Sequence, residues 1–462
     1  MKPSRYNYFC EVDGRTILAY NSLTSALTEL SADEFAAVQA FCTEPRDDLF
    51  DAWGLSSFCD GLVKAGFLIP DEQDEIELIR EIHASLKEHR RTLGLTIMPT
   101  LDCNFRCSYC FSYTRPERMG AKVQEALLRF VEDKLTKAER LSVTWYGGEP
   151  TLCLDLIEAL SRRLMTLCQR HGVELLPASI VTNGYLLSAQ VAERLRAAGI
   201  SEAQITLDGD QATHDQRRPL RGGGGTFDRI LDNVAAVGSI LDIKVRINVD
   251  RDNAGTAVGA LDTLADRGLQ GTPVYFGHVK PYSEACAGVA SACLSDKEFS
   301  ELDLALTRQA LVRGFRSFRY PHLELGGVCG ADQRLCYVVA PNGLLFKCWA
   351  QASQGAQQSA GSVADDGLGE AMRQAQQKNL ERFLAWDPLA DTACRECRVL
   401  PICMGGCPYL HLNGIAGAGC STWRYVLLET LGLRFRLGQL ARQETSEVSE
   451  KARSDLHDTW RR

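Results

Sequence analysis

The strongest constraint on the fold is an alternation of strand-like and helix-like segments through the middle of the chain. Short apolar runs at Gly94–Pro99, Leu141–Tyr146, Ala178–Val181, Ala203–Leu207, Lys244–Val249 and Pro273–Gly277 alternate with amphipathic stretches at Lys122–Lys134, Leu154–Arg170, Ala189–Ala198, Thr226–Val237 and Ala257–Arg267. Such a rhythm predicts parallel strands joined by crossover helices, an α/β class. Six units suggest a partial (β/α)6 TIM-like barrel, whose chemistry collects at the carboxyl ends of its strands.

The chain has 462 residues, 45% hydrophobic and 24% charged, which suits two or three folded domains. A net charge of −8 argues against a polyanion-binding surface, so no nucleic-acid partner is expected. Met1 to Cys10 is polar and charged, and no long apolar run follows, so no membrane partner is expected and the chain reads as cytoplasmic. Eighteen cysteines in such a chain point to metal or cluster ligation before disulfides. Eleven fall into two groups; Cys10, Cys42, Cys59, Cys153, Cys168, Cys286 and Cys293 are scattered and read as buried small hydrophobes.

After the first predicted strand comes CNFRCSYC, with thiols at Cys103, Cys107 and Cys110. Three ligands leave one iron of a four-iron cluster open; zinc is the competing occupant. The second strand ends in WYGGEP, where Gly147 and Gly148 allow close backbone approach and Glu149 adds a charge. Together these resemble the signature of the radical S-adenosylmethionine (SAM) superfamily. The resemblance implies that the open iron holds SAM, that Gly147 and Gly148 turn carbonyls toward its methionyl ammonium, and that Glu149 is the countercharge. It also implies contacts from Tyr109 to the adenine, from Asn183 in the Thr182-Asn183-Gly184 turn, from Thr206, and from Arg218 to the carboxylate, with neighbouring Arg217 open as an alternative. The glycine run Gly222 to Gly225 lacks a following Lys-Ser/Thr and reads as a loop.

The second cysteine group reads CGADQRLC, PNGLLFKC and CRECRVLPICMGGC, followed by Cys420. It resembles the SPASM extension of radical SAM enzymes. That resemblance implies two auxiliary clusters, one on Cys329, Cys336, Cys348 and Cys407, the other on Cys394, Cys397, Cys403 and Cys420, and so three 4Fe–4S clusters in all.

The expected domains are residues 1–90, a small α+β, winged-helix-like module of the kind that binds a precursor's leader; 91–320, the barrel; 321–425, the cysteine-rich iron–sulfur extension; and 426–462, a helix and charged tail. Within the first, strands are predicted at Tyr6–Val12 and Thr16–Tyr20 and helices at Ala32–Phe41 and Asp71–Arg90. The implied function is a peptide or protein maturase that abstracts hydrogen with a 5′-deoxyadenosyl radical and forms a thioether or carbon–carbon crosslink, drawing electrons from a flavodoxin or ferredoxin-type donor. Formylglycine formation is weakened because Trp349 stands where sulfatase maturases of the family carry an aspartate base. A cluster-bearing scaffold without catalysis is the alternative of another class. Asp208, His278 and Tyr282, with Lys280, are the acid–base candidates near strand ends.

Overall fold

The apolar runs pair as the alternation requires. The computed structural model describes residues 1–447, apart from 13, 15, 47, 113, 318, 353, 365–367 and 416–418. An amino-terminal antiparallel sheet of β1 (Asn7–Glu11), β2 (Ile17–Asn21) and β3 (Leu27–Leu30) is followed by α1 (Ala32–Thr43) and α2 (Glu75–Glu88). Ser31 begins α1 with a capping box closed by Glu34.

Next come β4 (Thr92–Ile97), α3 (Ala121–Leu135), β5 (Arg140–Trp145), α4 (Leu154–His171), β6 (Ala178–Thr182), α5 (Ala189–Ala197), β7 (Ile200–Leu207), α6 (Phe227–Val237), β8 (Asp242–Val249), α7 (Ala257–Asp266) and β9 (Val274–His278). The six strands are parallel and lie side by side in chain order. An order that never reverses, with right-handed crossovers, stacks the crossover helices on one face.

That face carries the main apolar core, where Leu95, Trp145, Ile180, Ile205 and Ile247 meet Leu127, Leu160, Leu195, Ile230 and Leu261. The other face is polar because strand side chains alternate. It presents Thr96, Thr144, Ser179, Gln204, Thr206, Arg246, Asn248 and Tyr275 at alternate positions. Thr144 and Ser179 hydroxyls are 3.0 Å apart, and the Tyr275 hydroxyl bonds Gln204. A parallel sheet buried on both sides would be apolar on both; this one keeps a face for ligands.

The cysteine-rich region adds to the same sheet, which the sequence pattern did not reveal. β10 (Cys336–Val339) pairs in parallel with β4, and β11 (Leu344–Phe346) and β12 (Gly361–Ser362) follow antiparallel. Cys336 lies opposite Gly94, where an added Cβ would sit 2.8 Å from the Cys336 sulfur. Glycine is therefore required on β4 for this thiol to seat.

The amino-terminal sheet rests on the cysteine-rich end. Arg398 lies 4.3 Å over the Tyr8 ring, and the Ser22 hydroxyl donates to the Arg398 carbonyl at 2.6 Å. α8 (Asp296–Val312) and α9 (Trp423–Glu447) pack together behind β9; residues 448–462 of the expected tail lie outside the described residues. Among the described residues no helix is long and apolar enough to cross a membrane.

The scattered cysteines are not uniformly buried. Cys153, Cys168 and Cys286 are, but Cys10, Cys59 and Cys293 are half-buried and Cys42 is exposed, because α1 turns that residue away from its packed side. Trp145 closes the core at the end of β5 and is fully buried. Trp145→Ala should lower stability by about 3–5 kcal/mol, read as a lower urea midpoint.

Candidate active site

The turn after β5 is pressed against the cysteine loop after β4. Gly148 N–H donates to the Thr100 carbonyl at 3.0 Å, and Glu149 N–H to the Asp102 carbonyl at 2.8 Å. A Cβ at Gly148 would lie 2.1 Å from the Asp102 oxygen, and one at Gly147, with φ of +130°, 2.4 Å from the Thr100 oxygen. No other residue fits this approach.

Glu149 is fully buried and accepts hydrogen bonds from Thr151 N–H at 3.0 Å, the Thr151 hydroxyl, the Thr182 hydroxyl at 2.7 Å and Asn183 N–H at 2.8 Å. Burial raises its carboxyl pKa and these donors pull it back. Its oxygens join β5 to β6 as a strut, and any countercharge that Glu149 offers a ligand acts from there. Asn183 carries the strut onward, donating from Nδ2 to Asn104 Oδ1 at 2.8 Å in the cysteine loop.

Cys103, Cys107 and Cys110 are half-buried on that loop. Burial pushes the Cys103 thiol up to about 12 and the Cys107 thiol to about 11, and each feels the charge of Cys110. They are neutral thiols until a cation draws off the protons. Asn104 Nδ2 and Arg218 Nε are buried with no protein partner. Three soft donors, a glycine cradle and two spare N–H groups suit a cluster with a polar ligand beside it. Among the described residues no trio of His, Cys, Asp or Glu converges as a single ion requires.

Beyond the third cysteine, the Tyr109 hydroxyl donates to Asp208 at 2.8 Å and receives from Arg218 and from Asn248 Nδ2 at 3.1 Å. Asp208 also pairs with Arg217 at 3.1 Å, and Arg217 with Asp250 at 2.5 Å. Arg217 is thus committed to two carboxylates, while Arg218 keeps its Nε free. Thr206 ends β7 on the polar face, nearly buried.

The acid–base candidates are spoken for. Asp208 is fully buried and clamps Tyr109 between arginines, so it cannot serve as an accessible base. His278 bonds the Leu294 carbonyl through Nε2 at 2.8 Å and stacks 4.3 Å from Phe299, and burial lowers it to about 4. Lys280 pairs with Asp296 at 2.5 Å. Tyr282 alone stays on the site, edge-on to Phe111 at 5.8 Å, with its hydroxyl acted on by Cys407 and Cys348.

The second cysteine group gathers in two sets. Cys329, Cys348 and Cys407 pack against Phe383, Tyr409 and Leu410, and burial raises Cys329 to about 11, with Cys407 and Cys336 adding to the shift. Cys394, Cys397, Cys403 and Cys420 line one open cleft. Pattern reading missed Asn104 and Tyr146, which stand inside CNFRCSYC and WYGGEP without being singled out, and Arg246, which belongs to no motif; its signal was two polar residues, Arg246 and Asn248, at alternate positions in an apolar strand.

Residues 97–253 match the Radical SAM superfamily. The chain carries a radical SAM domain and is an enzyme that uses SAM. It is 28% identical over 336 residues to the mycofactocin maturase MftC of Mycobacterium ulcerans (strain Agy99), spanning 68% of this chain and 82% of the relative. In fold it is similar to anSMEcpe with bound AdoMet and Cp18Cys peptide (TM-score 0.55, 18% identity, 75% of this chain and 99% of that one). It is also similar to Streptococcus suis SuiB bound to precursor peptide SuiA (TM-score 0.50, 16% identity, 90% and 96% covered). Membership implies SAM and a 4Fe–4S cluster.

Two outcomes test this geometry. Gly148→Ala should cost the enzyme its cluster at Cys103, Cys107 and Cys110, seen as a loss of bound iron with helix content retained by circular dichroism. Burial lowers His214 to about 2 and His278 to about 4. Below about pH 6.5 the unfolded chain therefore takes up protons that the folded chain refuses, so stability must fall as pH falls. The thermal midpoint should drop between about pH 7 and pH 5, and drop less in His214→Gln.

Proposed function

We propose that this radical SAM enzyme modifies a ribosomally made peptide or small protein, forming a thioether or carbon–carbon crosslink. One observation carries the reading: Tyr146, on the polar face of the sheet beside the turn that is fastened to the initiating cysteine loop, lies 4.5 Å from the ring of Trp349, the residue that follows Cys348. A substrate on that face would lie between the initiating cysteines and the first auxiliary set. When bound, the cluster and SAM supply a 5′-deoxyadenosyl radical able to take hydrogen from an inert carbon. The protein's part is to hold the target carbon on the polar face and exclude water and oxygen.

In the finer reading, β4 to β9 are an open (β/α)6 barrel within residues 91–320. Cys103, Cys107 and Cys110 ligate the initiating cluster, and Tyr109, Gly147, Gly148, Asn183, Thr206 and Arg218 receive SAM, with Glu149 holding the turn. Residues 321–425 carry two auxiliary clusters, the first on Cys329, Cys336, Cys348 and Cys407 and the second on Cys394, Cys397, Cys403 and Cys420. Residues 1–90 bind the leader, residues 426–462 close the chain, and a flavodoxin or ferredoxin-type protein supplies electrons. The similarity to anSMEcpe keeps formylglycine formation as a second reading. Trp349 disfavours it: its indole donates to the Thr96 hydroxyl at 3.1 Å and lies tilted against Tyr146 at 4.5 Å, and it has no site that accepts a proton.

After anaerobic reconstitution the chain should bind about twelve irons and, with dithionite, release 5′-deoxyadenosine from SAM; Cys103→Ala should abolish the release. About four irons with zinc in the balance would remove the auxiliary clusters from the account. No 5′-deoxyadenosine from the iron-loaded chain would favour a scaffold.

A further inference from the structure

The cations at the strand ends around the site come with their anions, and Arg246 differs. Arg217 is held by Asp208 and Asp250, Arg218 faces Asp208 at 3.8 Å, and Lys280 is paired with Asp296. Arg246, at mid-strand on β8, is half-buried and makes no ion pair among the described residues. Its Nε donates to Asn248 Oδ1 at 2.7 Å. Its two terminal nitrogens, which carry four of the five N–H donors, have no acceptor among the described residues.

The fold makes room for this guanidinium. A Cβ at Gly277 on β9 would lie 2.1 Å from Arg246 Nε and 2.7 Å from Nη2, so the group lies across a position that only glycine leaves clear. Its charge acts on the hydroxyls of Tyr146 and Tyr282, both of which also feel Cys348. On the sheet, Arg246 pairs with Tyr275 on the face where Tyr146 meets Trp349, the residue that follows Cys348. An unpaired cation in such surroundings is costly unless something brings it an anion, and the planar fork fits a carboxylate through two parallel hydrogen bonds.

We propose that Arg246 is a substrate-anchoring residue that holds a carboxylate of the peptide, from an Asp or Glu side chain or the carboxyl terminus, beside the carbon to be modified. This rests on the peptide reading above and adds a requirement: the residue presented to the site is acidic, or is next to an acidic group.

The test uses the iron-loaded enzyme with SAM and capped pentapeptides of glycine carrying one central Glu, Gln, Asp or Asn, with a glycine peptide bearing a free or an amidated terminus as the third pair. Equilibrium dialysis at fixed ionic strength should retain at least one acid about tenfold more tightly than its amide, the size of a charge-assisted hydrogen bond. The pair that discriminates identifies the side chain or the terminus as the source. Arg246→Met should abolish the preference. Gly277→Ala, which keeps the charge but displaces the fork, should reduce it. Each variant should retain the iron content of the parent.

Equal retention of every acid and its amide by the parent, including none of either, overturns the assignment. So does an Arg246→Met enzyme that keeps the acid preference and binds SAM about tenfold more weakly, since the fork would then serve the cosubstrate. An iron-loaded chain that releases 5′-deoxyadenosine but shows no acid preference defeats Arg246 alone. A chain that releases none defeats the reading beneath it.

Discussion

The site depends on one buried carboxylate. Glu149 lies at the end of β5 with no access to water, and its four hydrogen bonds tie that strand's turn to the end of β6. The same turn is fastened to the cysteine loop through Gly148 and Glu149 N–H groups, and Asn183 closes the ring through Asn104. A buried charge is tolerated only when fully satisfied, and once satisfied it fixes its donors in place. The three thiols of CNFRCSYC thereby inherit the rigidity of a parallel sheet.

From that ring the architecture extends in two directions. Along the strand ends, Tyr109 links the cysteine loop to Asp208, Arg218 and Asn248, so one phenol ties together the ends of β4, β7 and β8. Across the sheet, β10 lies beside β4 with Cys336 seated against Gly94. The cysteine-rich region thus continues the sheet of the radical SAM domain, and its cysteines stand at fixed distance from the initiating loop. The aromatic pair Tyr146 and Trp349 spans the gap, one from each region.

Much of this was legible in the sequence, because periodicity reports on faces and motifs report on spacing. All six parallel strands and the five crossover helices were readable from apolar alternation, with ends displaced by a few residues where polar residues such as Arg140 and Asp242 still pair. The eleven grouped cysteines stood out by spacing alone. The rest depended on contacts between distant segments. Nothing local in CYVV or LLF announces strands that join β4, since short apolar runs fit strand and helix alike. Glu149 read as a countercharge and not as a strut because a motif names a residue but not the direction of its side chain. Arg246 was passed over for the same reason: its meaning lies in the space that Gly277 leaves for the guanidinium, and in the lack of a paired carboxylate among the described residues.

The central claim is that the loop of Cys103, Cys107 and Cys110 leaves one iron open to SAM. The most direct measurement is pulsed electron paramagnetic resonance of the reduced enzyme with SAM isotope-labelled at its methionyl nitrogen. The account predicts a hyperfine coupling from that nitrogen to the reduced cluster, lost when Cys103, Cys107 or Cys110 is replaced. A reduced cluster that shows no such coupling while SAM is demonstrably bound would contradict it.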